Sequence, residues 1–267
     1  MRTIHVLGGD ERAEAAVQVL RHAGRTVLCF SVPGEKDDFC PQEVAEPAVW
    51  VLPYPCTEKW NDLLLKLPRG VGGYALAGGM SPAMRSRLEA SGFCCYAPDE
   101  LFLQQNAALT AEIAIVLAQS ERKHPLAGEN ILIVGYGRIG QALSKRLIAL
   151  GAEVTVSARR REQLQQITDA GMRAEVTGLW HLPLCRYGCI FQTVPFPVFS
   201  KEHILLLDKS CDFWELASKP YGVEPDAVPY MAERYHLASG LPGKFAPQTA
   251  GQYWAQALLR LLKEKGL

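Results

Sequence analysis

The residues whose spacing carries the most chemistry lie at mid-chain. Gly135-Tyr136-Gly137-Arg138-Ile139-Gly140 follows the apolar run Ile131-Leu132-Ile133-Val134 and opens an amphipathic stretch ending at Gly151. A lone G-x-G-x-x-G is a weak signal. Placed between a strand and a helix, with a second strand at Glu153 to Ser157, it points to a dinucleotide. Gly135 allows the tight turn, Gly137 lets the backbone approach a pyrophosphate, and Gly140 lets helix and strand pack closely. Tyr136, Arg138 and Ile139 complete the loop, and the phosphates lie over the helix N-terminus. An NAD site usually places an acidic residue about 20 residues further on, to hold the ribose hydroxyls. This chain has Ser157-Ala158-Arg159-Arg160-Arg161 there. No carboxylate repels a 2′-phosphate, and three guanidinium groups are available to bind one. Ser157, Arg159 and Arg160 therefore predict NADP, with NAD as the alternative.

These residues need a scaffold, and the pattern predicts an α/β chain of two doubly wound parallel-sheet domains. Residues 1–103 form an N-terminal flavodoxin-like substrate domain, completed by a C-terminal helix over 249–267 that returns to it. Residues 104–248 form a Rossmann NADP-binding domain including a hinge helix from about Pro98 to Gln119, with an apolar face at Leu101, Ala108, Ala111, Ile115 and Ala118. Strands are expected at Thr3–Leu7, Thr26–Phe30, Val49–Leu52, Tyr74–Ala77 and Phe93–Tyr96, with Ser81 capping a helix that starts at Pro82. Pro33 to Pro47 reads as irregular.

Ligands of doubly wound sheets sit beyond the carboxyl ends of the strands. That rule selects Gly8–Arg12, Gly78–Ser81, Gln192–Pro195, Ala217–Lys219 and Gly240–Lys244, expected to face one interdomain cleft. Taken singly, each is equally well an ordinary βα turn. Thr193, Val194, Pro195, Leu216 and Ala217 are assigned to the nicotinamide side of the cofactor.

Composition narrows the class. Lys+Arg and Asp+Glu are both 28, and a net charge of zero argues against a general polyanion binder such as a nucleic-acid protein. The 8 cysteines form no C-x-x-C pair, so neither a zinc site nor a disulfide framework is indicated, and buried reduced thiols are expected. With a strand expected from Thr3, no signal peptide is expected. The apolar runs Ile113–Ala118 and Ile204–Leu207 are short of the roughly 20 residues that span a bilayer. A cytoplasmic protein is expected.

Two resemblances add to this reading. Asn106-Ala107-Ala108-Leu109-Thr110-Ala111-Glu112 resembles the hinge helix of D-2-hydroxyacid dehydrogenases, and Ser218-Lys219 falls where those enzymes place a substrate-binding Arg. They pair a Glu with a His near the end of the Rossmann domain. Gly240–Thr249 has no His, and His236 lies inside a predicted strand as a structural imidazole. The stretch Gly240 to Gln252, with Leu216-Ala217-Ser218-Lys219-Pro220, Thr193-Val194-Pro195 and Gly8-Gly9-Asp10-Glu11-Arg12, is more closely similar to the dipicolinate synthase A-subunit family of spore-forming bacteria. The similarity is dense from Asn106 onward. Four positions depart from the family pattern: Gln192 for Asn, Tyr221 for the first Gly of Pro-Gly-Gly, Leu109 for Pro and Ile113 for Gly.

That resemblance implies NADP-linked oxidation of a dihydrodipicolinate-type compound of the diaminopimelate pathway to pyridine-2,6-dicarboxylate. The setting would be the mother-cell cytoplasm during sporulation, and the partner a flavoprotein-like B subunit. A dianionic substrate needs cations and N–H donors. Arg12 and Lys219 are the expected cations, with Ser81 and Ser218 as donors, Gly9 and Gly79 supplying backbone amides, and Asp10, Asn106 and Thr110 lining the site. Glu112 either accepts the ring proton through water or pairs with Lys219 or Arg12, so Glu112, Lys219 and Ser218 form the catalytic set. Two other readings stay open: a 2-hydroxyacid dehydrogenase-like enzyme, or an NADP-binding structural or regulatory partner of the flavoprotein. A homo-oligomer is compatible with each; nucleic acid, membrane and metal are not expected.

Overall fold

The structure is a computed structural model that describes residues 2–8, 10–30, 49–52, 74–76, 80–90, 92–97 and 99–267. The expectations for Pro33–Pro47, Gly9 and Gly78–Gly79 lie outside those residues. The chain divides into two compact units, Met1–Gln105 with Ala246–Leu267, and Asn106–Phe245.

The first unit holds five parallel strands, β1 (Ile4–Leu7), β2 (Val27–Phe30), β3 (Val49–Val51), β4 (Tyr74–Leu76) and β5 (Cys94–Tyr96), in the order β2-β1-β3-β4-β5. That is the flavodoxin-like order, with its switch point between β1 and β3. Helix α1 (Glu11–His22) buries Ala13, Ala16, Val17 and Leu20 at helical spacing. Asp10 starts it by accepting from the Arg12 and Ala13 amides. The C-terminal helix, Pro247–Glu264, packs on α1 at Gly251, where a side chain would overlap the Arg12 carbonyl. Helix α2 (Pro82–Ala90) is capped by Ser81, whose Oγ accepts from the Met84 amide at 3.2 Å.

Helix α3 (Glu100–Ser120) carries the chain from one unit into the next. By length and composition it could cross a membrane, with a mean hydropathy of 1.4, which the short apolar runs did not suggest. It is instead a core helix. Phe102 is buried in the first unit's core, and Ala111, Ala114, Ile115 and Ala118 are buried in the second's. Its expected apolar face needs one correction: Leu101 is exposed and Phe102 takes the buried position.

The second unit's six parallel strands are β6 (Asn130–Val134), β7 (Glu153–Ala158), β8 (Arg173–Val176), β9 (Cys189–Gln192), β10 (Asp212–Glu215) and β11 (Tyr235–Leu237). Their order, β11-β10-β9-β6-β7-β8, is that of a dinucleotide-binding sheet, with the switch point between β6 and β9. Ile131 and Ile133 enter one core, and Leu132 and Val134 the other. Burial on both faces is why this strand reads as an unbroken apolar run. Helices α4 (Arg138–Ala149) and α5 (Arg161–Asp169) follow β6 and β7. After the short α6 (Lys201–Leu205), the Gly240–Lys244 segment is a second correction. Leu241–Phe245 is a short helix, α7, and the last helix begins at Pro247, where proline suits the first helical position.

Candidate functional site

Because every strand of the second unit is parallel, the turns that follow them emerge along one edge. They are tied there by bonds beyond the regular ladder: Gly135 N to Ser157 O, Thr193 N to Val134 O, Leu216 N to Gln192 O and Ala238 N to Glu215 O, all 2.9–3.0 Å. The turns carrying Gly135–Gly140, Thr193–Pro195 and Leu216–Lys219 are thus brought together on the C-terminal edge of one sheet.

Each glycine of the fingerprint has a different physical reason. Gly135 has φ +101, and a Cβ there would lie 2.6 Å from the Thr193 hydroxyl and 2.7 Å from Val194. At Gly140 a Cβ would overlap the Gly135 carbonyl, so helix and turn meet only because it is glycine. Gly137 is unlike both. Its φ of −80 suits any residue, it is exposed, and a Cβ would meet no protein atom within 4 Å. The fold does not require glycine at this position; a group lying over the turn would.

Gly137 is also the N-cap of α4 and offers no side-chain cap, which leaves the first helical amides free to bind an anion. The Tyr136 carbonyl is held from two sides, by Gln141 Nε2 at 3.3 Å and Gln163 Nε2 at 3.1 Å. These two glutamines shape the turn from α4 and α5, and no sequence signal marked them. Arg138 is exposed and Ile139 half-buried beside the turn.

At the end of β7 the predicted residues separate. Ser157 is fully buried and accepts from the Thr177 hydroxyl at 3.0 Å, so its side chain supports the sheet rather than facing a ligand. Arg159 and Arg160 are exposed, and neither is in an ion pair among the described residues. Arg160 is the N-cap of α5, again without a side-chain cap. The Arg159 guanidinium lies over the exposed ring of Phe196, 5.8 Å from its centroid. Phe196 was not singled out by sequence. An exposed aromatic after Thr-Val-Pro is the signal that could have found it.

On the other side, Thr193 Oγ1 donates to the Val134 carbonyl at 2.8 Å, Val194 is half-buried, and Pro195 is exposed. Leu216 and Ala217 are buried, so they form the floor and only their backbone can reach a ligand. Ser218 and Lys219 are exposed above it. Lys219 forms no ion pair among the described residues, and neither does exposed Glu112. Thr110 is buried and donates to the Asn106 carbonyl at 2.8 Å, within its own helix.

In the first unit, Arg12 is engaged by Asp10, with Nε at 2.9 Å and Nη2 at 2.5 Å from Oδ2. Asp10 neutralises the cation expected to bind substrate, and Ser81 is occupied as a helix cap. His236 is a structural imidazole, as expected. It stacks on Trp214 at 4.2 Å and lies 3.8 Å from Asp212 at the start of β10, away from the edge that carries the turns. The six described cysteines are free thiols, and the expected burial fails for Cys29, Cys94 and Cys185, which are exposed. Burial pushes the Cys211 thiol up to about 12.

The carboxylate that sequence reasoning missed is Glu215, the last residue of β10. It is fully buried and accepts from Ala217 N at 3.2 Å and Gly222 N at 2.8 Å. Burial raises it to about 7 against the lowering effect of those bonds.

Sheet order, turn and uncapped helix together define a dinucleotide-binding fold. Residues 104–181 match the family described as D-isomer specific 2-hydroxyacid dehydrogenase, NAD binding domain. More particularly, the chain is similar to the A subunit of dipicolinate synthase from Bacillus subtilis (strain 168), 30% identical over 159 residues. That match spans 60% of this chain and 54% of that protein's length. Crystal structures of the same dipicolinate synthase component from Bacillus subtilis and Bacillus halodurans share the fold over 98% of this chain. They superpose with TM-scores of 0.82 and 0.80 at 22% identity, covering 96% and 97% of those chains.

Proposed function

We propose that the chain is an NADP-dependent dehydrogenase that oxidises a dihydrodipicolinate-type cyclic dicarboxylate to pyridine-2,6-dicarboxylate. The cofactor part rests chiefly on Gly137, where an unconstrained glycine leaves a cradle that a Cβ would fill at an uncapped helix N-terminus. The substrate part rests on the sequence similarity to a protein named for dipicolinate synthesis. Tyr136 to Gly140 would hold the pyrophosphate. Arg159 and Arg160, exposed and without an acidic partner among the described residues, would hold a 2′-phosphate through charge-assisted bonds.

Bound NADP supplies the hydride acceptor; the substrate ring loses that hydride and one proton and becomes aromatic. Gain of aromaticity drives the reaction, so a strong dedicated base is not demanded. Lys219 would anchor one substrate carboxylate and Ser218 would donate a hydrogen bond beside it. Glu112, exposed and in no ion pair among the described residues, would take the proton through water. A flavoprotein-like partner, the B subunit, belongs to the same reading, as does a role in the sporulating mother cell.

The test uses the purified chain with enzymatically generated dihydrodipicolinate and NADP, following reduced cofactor and pyridine product. Stoichiometric appearance of both supports the proposal. Turnover that requires an added B subunit would reduce the chain to a cofactor-binding partner.

A further inference from the structure

We propose that Glu215 is a positioning residue whose carboxylate fixes the segment 217–222 and thereby sets where Ser218 and Lys219 stand. This rests on the reading of Lys219 as a substrate anchor. The geometry is specific. One carboxylate oxygen takes the amide at the start of the segment, Ala217 N, and the other takes the amide at its end, Gly222 N. Between the two anchors, the Ser218 carbonyl accepts from Tyr221 N at 3.0 Å, and Tyr221 sits at φ +68, a conformation that favours glycine. Something must hold a tyrosine there, and the two ends of the segment are held by one side chain.

The neighbour in register, Gln192 on β9, extends this floor. It is fully buried, its Oε1 accepts from Val194 N at 3.0 Å, and its Nε2 has no partner among the described residues. A Cβ on Gly222 would overlap the Gln192 side chain, which locks the segment down onto both polar groups. No ion pair neutralises Glu215 among the described residues. From β11 it faces Tyr235, whose phenol is raised by burial and then by Glu215 and Tyr221. A buried carboxylate without a cation is a poor device for stability alone, since an apolar side chain would avoid its desolvation. Its return is the geometry of the segment.

The experiment compares the full-length wild type with Glu215→Gln, Glu215→Asp and Lys219→Ala. It reads amide hydrogen exchange by peptide, NADP affinity, and kcat and KM for the dihydropyridine dicarboxylate. Glu215→Gln keeps the shape but turns one acceptor oxygen into a donor facing a backbone N–H. Exchange in the 216–223 peptide should rise about tenfold, and KM by a similar factor, while NADP affinity stays within about twofold. The exchange of that peptide in the wild type, corrected for intrinsic pH dependence, should also change across about pH 7, and this step should vanish in Glu215→Gln. Glu215→Asp keeps the charge, is one methylene too short to hold both ends, and should move KM the same way; it decides the matter should Glu215→Gln not fold. Unchanged exchange and KM in folded variants, or a uniform rise in exchange across residues 106–245, would overturn the positioning role. If Lys219→Ala leaves the kinetics unaltered while Glu215→Gln loosens the segment, the substrate reading fails and the positioning role stands.

Discussion

At the N-terminal end of the second unit's sheet, Arg122 is 7% exposed and both Nη groups of its guanidinium reach acceptors. It pairs with Glu129 before β6, with Asp212 at the start of β10 (2.9 Å), and with the Gly188 carbonyl before β9 (2.8 Å). At the C-terminal end, Arg159, Arg160 and Lys219 are exposed and have no acidic partner among the described residues. The same chemistry is used for opposite ends. A charge enclosed by its own protein staples strands together, and a charge left unpaired on a ligand edge is available for another molecule. A cavity of about 530 Å³ lies beside Arg122, lined also by Lys123, His124, Arg186 and Asp208. Its size alone would nominate it as a site. Its central cation is already spent on Glu129 and Asp212, and the turns that carry the fingerprint are at the other end.

The largest expected effect comes from breaking the enclosed charge. Arg122→Ala strands two carboxylates and a carbonyl, and should destabilise the protein by about 3–5 kcal/mol in urea unfolding. Dinucleotide affinity per folded molecule should stay unchanged. A loss below about 1 kcal/mol, the range of exposed pairs, would mean that Arg122 is no staple. Next in size is the pH dependence of Glu215. Its folded value, about 7, lies above its ordinary 4.5, so the native state holds a proton that the unfolded chain gives up. Stability from this group is full below pH 4.5 and is lost as pH rises through about 7, by up to about 3 kcal/mol in all. Glu215→Gln should remove that slope from a series of thermal or denaturant unfolding curves, and an unaltered slope would assign it to other groups.

The ends of the sheet also differ in how far sequence could read them. The fingerprint turn, its flanking strands and the two parallel sheets were legible because glycine spacing and apolar runs are local signals. Arg122, Glu129 and Asp212 were not, since their meeting depends on three strands starting side by side. Glu215 was hidden for a related reason: in sequence it is one more residue of Phe-Trp-Glu-Leu, and only burial at the sheet edge makes its carboxylate a clamp. Ser157 misled in the opposite direction. Its position after a Rossmann strand suggested a ligand contact, but the last residues of β7 alternate between faces, and its hydroxyl faces Thr177. The engagement of Arg12 went unread as well: the helix N-cap two residues earlier supplies a carboxylate within reach of its guanidinium.

The unpaired end can be tested by its selectivity. Arg159→Ala with Arg160→Ala removes two charge-assisted contacts and should weaken NADP by about 1.5–3 kcal/mol, about 10- to 150-fold, with NAD little changed. Calorimetric titration of both cofactors checks this. Equal weakening of the two would mean that the arginines serve only solvent, and Phe196→Ala then becomes informative, because loss of its ring frees the Arg159 guanidinium from one fixed place.

Gly137→Ala is the smallest change and the sharpest test of what the C-terminal edge is for. Its backbone already suits alanine and nothing in the protein meets the new methyl, so folding should suffer by less than about 1 kcal/mol, the difference between glycine and alanine as N-caps. A pyrophosphate lying against the α4 amides would meet that methyl directly. Affinity for NADP and NAD should therefore fall together, by about tenfold or more, as close approach to the helix amides is lost. The two cofactors share the pyrophosphate and differ at the ribose, so this loss should be blind to the 2′-phosphate that the Arg159 and Arg160 substitutions expose. A Gly137→Ala protein that binds both cofactors normally would leave its open space without a purpose and would move the dinucleotide away from this turn.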